Sequence, residues 1–159
     1  MALDYYQTSP FGSLARHGGE NDGWYIHWIL HSPQGIQDML FSRQTGAFIQ
    51  GLAKRSSLPM EEASPKLAFA VLRVAVGEVT LTELASVLAA DLKLSNDKAK
   101  AMAKEVEKEL FVPHMLEFTQ WQKLLHQKAE DWLKKWEGAR AQGGQNAADL
   151  KNPPEKTKA

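Results

Sequence analysis

The chain has no cysteine among its 159 residues. That excludes a disulfide framework, a thiolate metal site and a cysteine nucleophile. Excess charge of either sign is also missing: 19 Lys and Arg stand against 19 Asp and Glu, for a formal net charge of zero. Such a chain has no long-range attraction for nucleic acid or an anionic membrane, although a local basic patch remains open. The balance holds along the chain. Residues 1–58 carry four basic and four acidic groups, 59–113 seven and nine, 114–143 five and four, and the remainder three and two. No long apolar run occurs. The longest, 67–76, is broken by Arg73 and is about half of the ~20 residues a membrane span needs. Residues 1–19 hold neither an apolar stretch of signal-peptide length nor an early positive cluster, so a cytoplasmic location is expected. GxSxG, the P-loop, GxGxxG and HExxH are all absent, and the pair Gly18-Gly19 alone reads as a turn.

What is present describes a helical, globular chain. Hydrophobic residues make up 43% and charged residues 24%, and a single domain of this length buries roughly 70% of its unfolded surface. The clearest local signal is Thr80-Leu81-Thr82-Glu83, a capping box in which a threonine oxygen takes a free backbone N–H and a glutamate three residues on reaches back. Leu81, Leu84, Ala85 and Leu88 then recur at helical spacing. Leu94-Ser95 interrupts, with Ser95 placed to cap a second helix carrying Ala99, Met102, Ala103, Val106 and Leu110 before Pro113 stops it.

Around this hairpin the same rules predict further helices. Residues 24–31 (WYIHWILH) are compatible with strand or helix; Trp24 and Trp28, four apart, favour helix. Ser32-Pro33 reads as a cap with proline in the first turn. The next stripe, Ile36, Met39, Leu40, Phe41, Thr45, Phe48 and Leu52, is one helix or two with a joint near Thr45, because Gly46 and Gly51 weaken it. Ser64-Pro65 repeats the cap-plus-proline signature. The helix after it, 66–76, is apolar nearly all round and belongs at the centre of the core, with Gly77 ending it in the left-handed conformation. Beyond Pro113 a long helix runs to about residue 141 with Phe118, Trp121, Leu125, Ala129, Trp132 and Trp136 on one stripe and Leu124 and Leu133 beside it. Residues 143–159 hold a single large apolar side chain, Leu150, and are expected to be a disordered tail.

Two constellations carry possible chemistry. His27 and His31 share a helical face at i, i+4, the spacing of a metal grip; with no third ligand nearby in sequence, the pair reads as packing among Trp24, Trp28 and Ile29, and no metal or cofactor is expected. Glu61-Glu62 fits the charge preference of a helix N-terminus, so no catalytic set emerges. The hairpin of 81–110 has the skeleton of a helix-turn-helix and resembles the N-terminal helical hairpin of histone-like bacterial DNA-binding proteins. Read as a helix-turn-helix, its recognition helix would present Asn96, Asp97, Lys98 and Lys100 to the groove, but Asp97, Glu105, Glu107 and Glu109 repel phosphate, and the β-arms of the histone-like proteins have no counterpart here. Over 47–113 the pattern Phe48-Ile49, Leu52, Leu58-Pro59, Gly77-Glu78, Leu84, Leu88, Leu92, Leu94, Ala99, Met102-Ala103 and Leu110-Phe111 resembles a helical segment of bacterial proteins, and that resemblance implies no activity.

The expectation is an all-α bundle of five or six helices: an irregular N-terminal segment over 1–23, a helical domain over 24–141 with a long C-terminal helix, and a tail over 142–159. Its core should include Phe48, Leu52, Leu67, Val71, Val74, Leu84, Leu88, Met102, Val106 and Leu110. The expected function is a non-enzymatic interaction or scaffold module. It presents Trp121, Leu125, Trp132, Leu133 and Trp136 to a protein partner or to a second copy of itself, since tryptophan is enriched in binding hot spots. DNA binding through the 81–110 hairpin is the alternative.

Overall fold

Helices account for the architecture of the computed structural model, which is described for residues 4–141 and for side chains as far as Lys128. In chain order they are α1 (Leu14–His17), α2 (Asp22–His31), α3 (Gln34–Phe41), α4 (Arg43–Arg55), α5 (Met60–Ala75), α6 (Leu81–Leu92), α7 (Asn96–Val106) and α8 (Met115–Ala141). A 3-10 turn, Gly19–Asn21, precedes α2. A π-helical turn, Glu107–Phe111, and a 3-10 turn, Val112–His114, join α7 to α8. Among the described residues there is no strand. Seven of the helices have eight residues or more, against the five or six expected.

The extra helix comes from a cap. The joint in the long stripe lies at Ser42 rather than near Thr45: the Ser42 hydroxyl accepts from the N–H groups of Gln44 (3.0 Å) and Thr45 (3.5 Å), which opens α4. The two serine–proline pairs behave differently from the expectation. Ser32 Oγ donates to the Ile29 carbonyl at 2.6 Å and so closes α2 instead of opening α3. Pro65 lies inside α5, which begins earlier, after Leu58-Pro59, with Glu61 and Glu62 in its first turn. Residues 24–31 are helical, with Trp24, Tyr25, Trp28 and Ile29 buried.

Helix α5 is buried on nearly all sides, through Leu67, Ala68, Val71, Leu72, Val74 and Ala75, and it contacts α1, α4 and α6. The expected core residues are all buried except Phe48, which packs at the core's edge. Gly77, at φ +83°, ends the helix in the left-handed region, and the Glu78 N–H returns to the Arg73 carbonyl at 2.9 Å. The capping box of α6 forms in full: Thr80 Oγ1 accepts from the Glu83 N–H at 3.1 Å, and Glu83 Oε1 accepts from the Thr80 N–H at 3.0 Å. These two contacts hold the Glu83 carboxyl below its ordinary pKa. Ser95 Oγ accepts from the Lys98 N–H at 3.3 Å to open α7.

The segment before α2 is ordered by tertiary contacts. Thr8, Ser9 and Ser13 are fully buried. Thr8 Oγ1 donates to the Gly46 carbonyl at 3.0 Å and accepts from Gln50 Nε2 at 3.1 Å, which ties this segment to α4. A Cβ on Gly46 would lie 1.8 Å from the Tyr5 carbonyl oxygen, so only glycine lets the two backbones meet. The tail of 142–159 lies outside the described residues, as do the side chains of Trp132, Leu133 and Trp136.

Two glycine exchanges test the backbone argument by urea unfolding. Lys93 closes α6 at φ 54°, where a side chain costs about 1 kcal/mol; Lys93→Gly is expected to raise stability by about 0.5–1 kcal/mol with an unchanged m-value. Gly77→Ala is expected to lower it by about 1–3 kcal/mol, from the left-handed φ and from a Cβ only 2.8 Å from Leu125 Cδ1.

Candidate interaction surface

The first half of α8 is fastened to the body by the stripe the sequence marks. Ala75 ends α5, and its carbonyl has lost its helical partner, because the Val79 N–H bonds to Arg73 instead. The Trp121 indole N–H fills that vacancy at 2.8 Å. Its ring meets Trp28 edge-on, with centroids 5.9 Å apart. Phe118, fully buried, stacks obliquely on Phe111 at 4.8 Å, and Leu125 covers Gly77. Lys128 places its ammonium 5.7 Å from the Trp28 ring centre.

Trp121 is therefore a docking residue, only 3% exposed, rather than part of an open surface. Leu125 is half-buried by the same contacts. The remaining members of the predicted stripe, Trp132, Leu133 and Trp136, have side chains outside the described region.

Leu116 stands opposite the docked stripe, and Leu124 lies beside it. Leu116 is 75% exposed and Leu124 43%, and Val112, in the turn leading into α8, is 51% exposed. Leu116 and Leu124 are eight residues apart and so lie on one side of a helix. Lys123, Gln120 and Gln127, also exposed, border them. The signal was available in the register: Leu116 falls half a turn away from Phe118 and Trp121, so it cannot share their face.

Three other groupings stand out. An open cleft of about 400 Å³ between α3, α4 and the π-helical turn places Asp38, Glu109 and His114 over Met39, Phe48 and Leu110. On the exposed side of the α6–α7 hairpin Asn96, Asp97, Lys98, Lys100 and Lys104 are all accessible, and Glu105 pairs with Arg55 at 3.1 Å. Alternating signs on this face give phosphate no continuous basic track. Third, Tyr25, Arg73 and Glu78 form a polar clamp. The Tyr25 hydroxyl lies 2.9 and 3.0 Å from the two Glu78 carboxylate oxygens, and Arg73 Nε donates to the same carboxylate. Among the described residues no group of three or more His, Cys, Asp or Glu is placed to hold a metal ion, and no helix is long and apolar enough to cross a membrane.

Compared with known proteins, the chain matches no family model, no curated protein and no solved structure.

The clamp makes a prediction about pH. Burial, and then the Glu78 carboxylate, raise the Tyr25 phenol well above its usual value near 10, while Arg73 opposes them. The folded chain thus holds this proton more tightly than the unfolded chain does. The resulting stability is complete below about pH 10 and is lost as pH rises beyond it. Tyr25→Phe is expected to cost about 1 kcal/mol at neutral pH and to flatten the alkaline fall in stability, read by urea titration at a series of pH values.

Proposed function

We propose that this protein is a non-enzymatic interaction module whose long C-terminal helix receives a protein partner. The observation that carries the reading is the two-sided character of α8. One face is used up in docking through Phe118, Trp121 and Leu125, while Leu116 and Leu124 stand bare on another. An exposed leucine at 75% gains nothing for the isolated fold, and paired apolar residues along one side of a helix match helix-in-groove recognition. The helix spans 27 residues, about 40 Å at 1.5 Å per residue. By sequence spacing, Trp132 and Trp136 continue the docking stripe of Phe118, Trp121 and Leu125 rather than the side of Leu116, and so offer a second surface beyond the last described contact of that stripe. The simplest partner is a second copy of the chain. Nucleic acid is disfavoured by the mixed charge of the α6–α7 hairpin.

Site-specific photocrosslinking tests this. A photoreactive residue at 116, 124 or 136 is expected to give discrete protein adducts, and one at Lys54 on α4 is not. Leu116→Glu is expected to weaken adduct formation tenfold or more while shifting stability by no more than about 0.5 kcal/mol. Equal labelling at all four positions, together with a monomeric mass at every concentration by light scattering, would remove the proposal.

A further inference from the structure

The open cleft between α3, α4 and the π-helical turn has the make-up of a ligand site. Three interruptions of regular helix meet at it: the Ser42 joint between α3 and α4, the π-helical turn Glu107–Phe111 and the 3-10 turn Val112–His114. π-Helical turns are frequent at functional sites. At about 400 Å³ the cleft falls within the span of small-molecule sites, roughly 300–1,000 Å³. Met39, Phe48, Leu110 and Pro113 supply its apolar lining.

The polar lining is of one sign and largely uncommitted. Asp38 Oδ1 accepts from Gln34 Nε2 at 2.7 Å. An ionised carboxylate offers about four lone-pair sites, so Asp38 Oδ2 is left over. The Glu109 carboxylate takes part in no hydrogen bond or ion pair among the described residues. Elsewhere Asp4, Glu78 and Glu105 each have an arginine beside them, whereas no Lys or Arg lines this cleft.

Thr45 gives an independent sign of a missing guest. It lines the cleft and is only 6% exposed. Its hydroxyl has no hydrogen-bond partner among the described residues. Buried hydroxyls are normally paired. Thr45 stands in the first turn of α4, so the carbonyl four residues back belongs to another helix and the usual return bond is lost. An anion would be repelled by the two carboxylates, and a neutral apolar guest would leave all three groups unanswered. A primary ammonium carries three N–H donors, one for each of Asp38, Glu109 and Thr45.

We infer that this cleft binds a primary alkylammonium group on a short apolar chain, presented by a free amine or by a lysine side chain. The ammonium meets the two carboxylates and the Thr45 hydroxyl, and the chain lies on Phe48, Met39 and Leu110. The site is separate from the α8 surface: Leu116 does not line it, so Leu116→Glu leaves it intact.

Hexylammonium, 1-hexanol and hexanoate share one chain length and differ in the charge of the head. Each is titrated at low salt into full-length chain labelled with 15N, and amide chemical shifts are followed. Hexylammonium is expected to shift Thr45, Phe48 and Leu110 saturably, about tenfold more tightly than hexanol, with no site for hexanoate. Asp38→Asn and Glu109→Gln are each expected to weaken it about two- to fivefold, and together about tenfold. Glu62→Gln, at an exposed carboxylate on α5, is expected to change nothing. Thr45→Val is expected to weaken hexylammonium and spare hexanol; the two carboxylate exchanges lie on the surface and decide the question even where Thr45→Val loosens α4. Equal affinity for the three head groups, or full affinity in the double carboxylate variant, would overturn the site. So would the absence of saturable shifts at Thr45, Phe48 and Leu110 up to about 20 mM amine. A parallel titration with Nα-acetyl-lysine methylamide tells the two sources apart: tighter binding than hexylammonium assigns the cleft to a lysine of a protein partner, and weaker binding to a free amine.

Discussion

The C-terminal end of α5 is the point on which the rest of the molecule depends. A helix must leave its last carbonyls without helical donors, and here each of the next few residues turns that requirement into a tertiary contact. Ala75 offers its carbonyl to the Trp121 indole and so fixes α8. Gly77 makes the left-handed turn and provides the flat surface that Leu125 covers. Glu78 receives the Tyr25 hydroxyl and the Arg73 guanidinium, which draws in α2. Within four residues the buried central helix is therefore linked to α2 and α8 and leads directly into the cap of α6. Removing the side chain of Trp121 would forfeit a large buried area and strand a carbonyl in the core, a loss on the order of 3–5 kcal/mol.

The hydrogen-bond geometry also explains why α8 is well seated at one point and open at another. Phe118 and Trp121 are anchored on the α5 terminus and on Trp28, and Leu125 extends that seat by one turn. Leu116 lies on the far side of the helix from that seat and stays in water. A helix held along one side only can offer its other side to something else without disturbing its own attachment.

Much of this was legible in the residue pattern, and the reasons differ by element. The α6–α7 hairpin follows from side chains bonding to backbone a few residues away, as at Thr80 with Glu83 and at Ser95 with Lys98, and such local bonds are written in spacing alone. The burial of α5 follows from an apolar composition that leaves no polar face. What could not be read depends on distant partners. Gly46 looks like a weak point in a helix, and its actual role, admitting the backbone of Tyr5, comes from a residue 41 positions away. Ser32 has the look of an N-cap, yet its hydroxyl is taken by the preceding helix. Trp121 and Leu116 are both large and apolar. Composition alone does not tell them apart; the helical register does, placing Leu116 half a turn from Trp121.

The π-helical turn at Glu107–Phe111 has a consequence of its own. There the Val112 N–H reaches back five residues to the Glu107 carbonyl instead of four, which means the chain carries one residue more than a regular helix would need. Each residue turns an α-helix by about 100°. That single surplus position sets the phase between the α6–α7 hairpin and everything that follows. A chain shorter by one residue here would thread through the same turn as plain α-helix and deliver α8 rotated by more than a quarter turn, with Phe118 and Trp121 swung away from α5 and the bare leucines turned toward new surroundings. The pairing between body and rod is thus specified by chain length at one turn as firmly as by the side chains that meet there.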